Sequence, residues 1–270
     1  MMDFWKKPPR TGIVGCGTIG GHVARFIDSG ETSATISGLC DIEPERAETL
    51  ATSLDNPPAL YDMKRLVAHS DLVVECAAAG AVPELVELCL EHGRSLLVMS
   101  VGGLRPEHLE MFRRKRLLLV VPSGAVSGLD GILAHAADGI KEFVLVTRKP
   151  PAAFENVEWV KEQGIELEKM KGETILFEGT PEEAVRRFPQ NINVASTLRL
   201  VSGFSDLRVR IVADPAVERN VHEVTVKSSL GEITTTIQNR PSSNPKTSAL
   251  AYASAIATLK KLLSPVRIGT

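Results

Sequence analysis

Gly15, Gly17 and Gly20 stand in a G-x-G-x-x-G run, between an apolar strand-like segment and a helix-like one. That spacing suits a turn that cradles a pyrophosphate at a helix N-terminus. Gly15 lets the chain leave the strand in a tight turn that a Cβ would disfavour. Gly17 lets the backbone approach the phosphates, and Gly20 lets the next helix pack against the strand. Thr18 and Ile19, between Gly17 and the helix, join the glycines as cofactor-binding candidates, since the helix N-terminus presents unpaired N–H groups to the phosphates. Asp41 directly follows the apolar run Ile36–Cys40. An acid at that distance accepts hydrogen bonds from an adenosine ribose. Its carboxylate repels a 2′-phosphate, which favours NAD; Arg46 lies close enough in sequence to leave NADP open.

Four further segments carry polar groups that plain scaffolding does not call for. Residues 122–128, centred on Ala125, leave the last strand of the first domain at its carboxyl end, where a nicotinamide ring would lie. Small residues there let backbone approach a flat ring, and they equally suit an inter-domain hinge. Residues 188–195 hold Gln190, Asn191 and Asn193 at a helix start. Such amides cap helices or bind a carboxamide or carboxylate. His222 sits mid-strand, on the face opposite Val221 and Glu223, and an unperturbed imidazole titrates near neutrality, as suits a general base. A satisfied structural histidine is the plainer account of it. Lys246, Thr247 and Ser248 open the last helix, where they could hold an anion or cap the helix.

The elements that must position these groups come in two textures. Apolar strand-like runs at Thr11–Gly15, Thr35–Cys40, Leu72–Cys76, Ser95–Ser100 and Leu117–Val121 alternate with helical patterns at Gly20–Ser29, Pro44–Ser53, Asp62–Ala68, Pro83–His92 and Pro106–Lys115. This pattern predicts an α/β, Rossmann-type doubly wound parallel sheet. Beyond Pro122 the strands at Glu142–Thr147, Ile175–Glu178, Leu207–Ala213, Asn220–Lys227 and Gly231–Gln238 include clear alternation. They predict a second α+β domain with a mostly antiparallel sheet. Residues 1–122 are expected to form the dinucleotide-binding domain, with the 241–270 helix packing back on it. Residues 123–240 are expected to form the substrate and dimerisation domain.

Composition sets outer limits. The chain has 270 residues, 43% hydrophobic and 24% charged, which suits two ordinary folded domains. A net charge of −2 offers no general attraction to nucleic acid or to anionic membranes. No apolar run approaches a membrane span, and the first ten residues lack a secretory pattern, so the expected location is cytoplasmic. Cys16, Cys40, Cys76 and Cys89 lack ligand spacing and read as reduced, mostly buried thiols; the scattered histidines predict no metal site.

Taken together, Gly15–Gly20, the Pro-Ser-Gly-Ala-Val-Ser-Gly-Leu-Asp run at 122–130, Phe-Pro-Gln-Asn-Ile-Asn-Val-Ala at 188–195, Asp-Pro-Ala-Val-Glu-Arg-Asn-Val-His at 214–222 and Asn-Pro-Lys-Thr-Ser at 244–248 resemble the L-aspartate dehydrogenase family. The resemblance implies oxidative deamination of L-aspartate to iminoaspartate, then oxaloacetate and ammonia, with NAD or NADP. It implies a homodimer built on the second domain's sheet, and in some members a supply of iminoaspartate to quinolinate synthase in NAD biosynthesis. It places the catalytic histidine at His222 and cofactor contacts at Ala125 and within Gln190–Asn193, Asn191 before Asn193. Lys246, Thr247, Ser248 and Asn193 are the candidates for binding the substrate carboxylates. A sister reductase of the dihydrodipicolinate or homoserine dehydrogenase type is the alternative enzyme; a dinucleotide-binding sensor without turnover is the alternative of another class.

Overall fold

Strands buried on both faces need no polar alternation, and the first sheet is made of them. In the computed structural model, which describes residues 7–188, 192–240, 248–266 and 268, β1 (Arg10–Val14), β2 (Thr35–Cys40), β3 (Leu72–Glu75), β4 (Ser95–Val98) and β5 (Leu119–Val120) pair in the order β2-β1-β3-β4-β5. Every pairing is parallel. Successive residues then face opposite cores. Ile13, Leu39, Leu72, Val74 and Leu97 join one apolar cluster; Val14, Cys40, Val73, Leu96 and Val98 join the other.

Helices cover both faces. α1 (Thr18–Asp28) and α2 (Pro44–Thr52) bring Val23, Phe26, Ile27, Leu50 and Ala51 to the first cluster. Ala255 and Leu259 of α10 (Ala249–Leu263) join them, and Tyr252 stacks on His22 with ring centroids 3.8 Å apart. α3 (Met63–His69), α4 (Val82–His92) and α5 (Pro106–Lys115) bring Leu66, Val67, Leu85, Val86, Cys89 and Phe112 to the second. Asp62 starts α3 by accepting from the Arg65 N–H at 2.8 Å. Gly93, in the left-handed region at φ 65°, ends α4. The strand order reverses between β1 and β3, the place where doubly wound sheets open a crevice beyond their carboxyl ends.

The chain divides into two compact units, Met1–Gly124 with Ala251–Thr270, and Ala125–Leu250. The second contains α6 (Leu129–Asp138), β6 (Glu142–Lys149), α7 (Glu158–Glu162), β7 (Thr174–Gly179), α8 (Pro181–Arg187), α9 (Ile192–Ser202), β8 (Arg208–Ala213), β9 (Val221–Ser228) and β10 (Gly231–Gln238). Its sheet runs β10-β9-β6-β8-β7, antiparallel except for the β6–β8 pair. One face carries Phe143, Leu145, Val209, Ile211, Val224 and Val226 against Ile132 of α6 and Ala195 and Leu198 of α9. The other carries the Arg210–Glu178 and Arg148–Glu223 ion pairs and the Thr225–Thr234 hydroxyl contact.

Several boundaries move from their expected places. α1 begins at Thr18 rather than Gly20, because the tight turn is complete at Gly17. β4 and β5 are shorter than the apolar runs that hold them. Residues 150–173, without a clear period, fold into α7 and two short 3₁₀ turns that bury Phe154 and Val160. The last helix, expected to open at Lys246–Ser248, starts at Ala249 among the described residues. The four cysteines are free, and three are buried. Among the described residues, no helix is long and apolar enough to cross a membrane.

Candidate active site

In the first unit the three glycines have three different reasons to lack a side chain. At Gly15 the backbone has φ 92°, and a Cβ would lie 2.5 Å from the carbonyl carbon of Cys76 at the end of β3. At Gly20 a Cβ would lie 1.9 Å from the Gly15 oxygen. A Cβ on Gly17 would meet nothing within 4 Å. Its surroundings are open, and that is the cradle a pyrophosphate needs. Gly17 is also the N-cap of α1, with no capping side chain and no acid in the first turn. The first-turn N–H groups of Thr18 and Ile19 have no acceptor within the helix. An uncapped, acid-free helix start beside an open glycine fits a dinucleotide phosphate.

Asp41 reaches back to this loop. Its Oδ2 accepts from the Cys16 N–H at 2.6 Å, and its Oδ1 from the Glu43 N–H at 2.9 Å. Arg46 is exposed and engaged with Glu43 at 2.8 Å.

Glu75 belongs to the same crevice edge. It ends the apolar run of β3, and its side chain is 0% exposed. Oε1 accepts from the Ala77 N–H at 2.8 Å, and Oε2 from the Met99 and Ser100 N–H groups at 3.1 and 2.8 Å. Burial pushes the carboxyl pKa up, against the downward pull of the Ser100, Ala77 and Met99 bonds. One side chain thus ties together the segments leaving β3 and β4. An acid closing an all-apolar strand was its only mark in the sequence.

In the second unit, His222 on β9 pairs in register with Thr147 on β6. The two side chains meet at 3.0 Å between Oγ1 and Nδ1. His222 is 5% exposed, Thr147 1% and Lys149 6%. Along β6 the inward face reads Phe143, Leu145, Thr147, Lys149, so the apolar face of the sheet ends in a buried polar group of three. Burial first, then the positive charge of Lys149, lower the His222 pKa to about 4. The imidazole is therefore neutral at neutral pH and able to accept a proton. Burial also lowers the Lys149 pKa. Thr147 and Lys149 left no motif in the sequence beyond two polar residues in an otherwise apolar alternation.

Ala125 begins this unit, and its carbonyl accepts from Asn239 Nδ2 at 3.0 Å. Ser248 donates to Asn239 Oδ1 at 3.1 Å and accepts from the Leu250 N–H at 3.1 Å, so it caps α10. Asn239, buried and without any sequence signal, joins the Ala125 turn to the start of that helix. Asn193 is exposed near the start of α9. Asn191, Lys246 and Thr247 lie outside the described residues. Among the described residues, no cluster of three or more His, Cys, Asp or Glu side chains could hold a metal ion.

Comparison with known proteins resolves the class. Residues 130–262 match the model described as aspartate dehydrogenase, C-terminal, and residues 15–116 that of the homoserine dehydrogenase NAD binding domain. The L-aspartate dehydrogenase of Methanosarcina mazei is 47% identical over 269 residues, covering 97% of this chain and 99% of its own. This chain belongs to the L-aspartate dehydrogenase family. An L-aspartate dehydrogenase of Bordetella bronchiseptica is 35% identical, with 96% of each chain covered. The crystal structure of aspartate dehydrogenase from Thermotoga maritima superposes with a TM-score of 0.73 at 28% identity, over 97% of this chain and 99% of that one. As a member of the aspartate dehydrogenase family the chain is an oxidoreductase that uses a nicotinamide dinucleotide.

Proposed function

We propose that this enzyme oxidises L-aspartate to iminoaspartate, which water converts to oxaloacetate and ammonia, and that His222 is its general base. The buried Thr147–His222 pair carries the reading. In the base form, Nδ1–H donates to Thr147 Oγ1, which leaves the Nε2 lone pair to take a proton from the substrate ammonium. Once it has released that proton to solvent, the same imidazole accepts one from the water that attacks the imine carbon. A bound nicotinamide dinucleotide supplies the hydride acceptor. Gly15, Gly17, Thr18, Ile19 and Gly20 would hold its pyrophosphate, and Asp41 its adenosine ribose. Both Asp41 oxygens keep a lone pair beyond the backbone bonds they accept, and a carboxylate there favours NAD over NADP. Ala125 and the Asn191–Asn193 stretch would contact the nicotinamide end, and Asn193, Lys246 and Thr247 the substrate carboxylates; Ser248, expected among them, has its one O–H donated to Asn239 and serves as the cap of α10 instead.

In this reading the enzyme is a cytoplasmic homodimer joined through the sheet of the second unit, and its iminoaspartate is available to a quinolinate synthase.

The deciding experiment follows NADH formation at 340 nm with L-aspartate and NAD, for wild type and His222→Ala. Turnover lost in a variant that still binds NAD is the expected result. Equal activity in both returns His222 to a structural role. A wild type inactive on aspartate but active on a hydroxy or cyclic imino substrate would favour the sister reductases.

A further inference from the structure

The mechanism above leaves one buried charge without a task. Lys149 ends β6, on the same sheet face as Thr147 and His222, and is 6% exposed. Among the described residues no carboxylate pairs with its ammonium. Glu223, on the neighbouring strand, points to the other face and pairs with Arg148. Asp214 accepts from its own turn through the Ala216 N–H at 2.8 Å. A buried ammonium without a counter-charge is costly, and burial alone lowers its pKa. Such a group persists where an anion arrives during function.

Lys149 also lines a cavity of about 470 Å³ within the second unit, walled by Phe154, Trp159 and Phe188, with Arg186, Arg187, Glu158 and Glu162 on its rim; neither glutamate forms an ion pair with Lys149. Arg187 is held over the Trp159 and Phe177 rings, 5.4 and 5.1 Å from their centroids. The cavity thus offers Lys149 a space lined by aromatic rings in which two arginines face two glutamates, so that Lys149 carries the excess positive charge.

We infer that Lys149 anchors one carboxylate of the dicarboxylate substrate beside His222. The inference rests on the aspartate reading and adds to it a residue that selects the acid. Binding the carboxylate gives the ammonium its counter-charge. It also cancels the positive field of Lys149 that, after burial, lowers the His222 pKa. The imidazole then gains proton affinity when substrate is in place, and a ligand without a carboxylate at that position leaves it a poor acceptor. Lys149 therefore acts both on binding and, through His222, on proton removal.

The test uses the full-length enzyme and three variants, Lys149→Met, Lys149→Gln and Lys149→Arg. Succinate, a dicarboxylate that cannot be oxidised at an amine, is titrated calorimetrically into the NADH-loaded proteins; KM and kcat for L-aspartate are measured beside it. Lys149→Met and Lys149→Gln are expected to weaken succinate binding and raise KM by about tenfold or more, with NADH affinity unchanged. Lys149→Arg, which keeps the charge, is expected to recover part of both. Succinate affinity and KM at wild-type values in either neutral variant that binds NADH would overturn the inference while leaving the aspartate reading intact. A wild type that neither oxidises L-aspartate nor binds succinate would overturn both.

Discussion

Thr147 Oγ1 lies 3.0 Å from His222 Nδ1, across two antiparallel strands where the residues are directly paired. The contact is set by strand register, so the ring is oriented by the sheet and not by a loop. Replacing Thr147 by Val keeps the shape and removes the acceptor. Thr147→Val is expected to lower kcat about tenfold with NAD affinity unchanged, and Thr147→Ser to restore most of it. Steady-state kinetics on the three proteins check this.

His222 also makes the fold sensitive to acid. Its pKa is lowered from 6.5 to about 4 in the folded protein, chiefly by burial and then by Lys149. The unfolded chain binds the proton first, so stability is complete above the unfolded value and is lost as pH falls through 6.5 toward 4. This one group accounts for about 2 kcal/mol between pH 7 and pH 5. His222→Asn is expected to reduce that loss, seen as a smaller drop in urea midpoint between the two pH values.

Glu75 should resist its closest isostere. Its two oxygens accept three backbone N–H groups, and an amide would turn one acceptor into a donor facing a donor. Glu75→Gln is expected to destabilise the protein by about 1–3 kcal/mol. Denaturation in urea measures the change; a midpoint equal to wild type would refute it.

The glycines separate folding from binding. A Cβ on Gly20 would lie 1.9 Å from the Gly15 oxygen, whereas one on Gly17 would meet nothing within 4 Å. Gly20→Ala is expected to unfold or strongly destabilise the first unit. Gly17→Ala is expected to keep the melting temperature and to weaken NAD binding about tenfold or more, by filling the space the pyrophosphate needs. Calorimetric NAD titration and thermal melts of both variants distinguish the two effects.

The parallel sheet was legible because its strands are short, unbroken apolar runs separated by helical spacing. Ile13, Val14 and Leu72–Val74 face two cores at once, which leaves no polar residue to obscure them. His222 stood out because it interrupts an alternating strand. Lys149 and Thr147 did not, since one lysine and one threonine on a strand are ordinary until the register sets them against His222. Asn239 and Glu75 act through backbone groups remote in the chain, and such partners leave no local pattern. α7 and its flanking 3₁₀ turns are too short for a period to show.

Asp41 constrains the history open to this enzyme. The carboxylate that would discriminate between the two dinucleotides also closes the glycine turn through Cys16 and begins the next one through Glu43. A lineage drifting toward the phosphorylated cofactor could not exchange Asp41 for a neutral apolar residue in a single step without loosening the turn. It would first need a substitute acceptor for the Cys16 N–H, and Asn, which keeps one oxygen, is the obvious first step on that path.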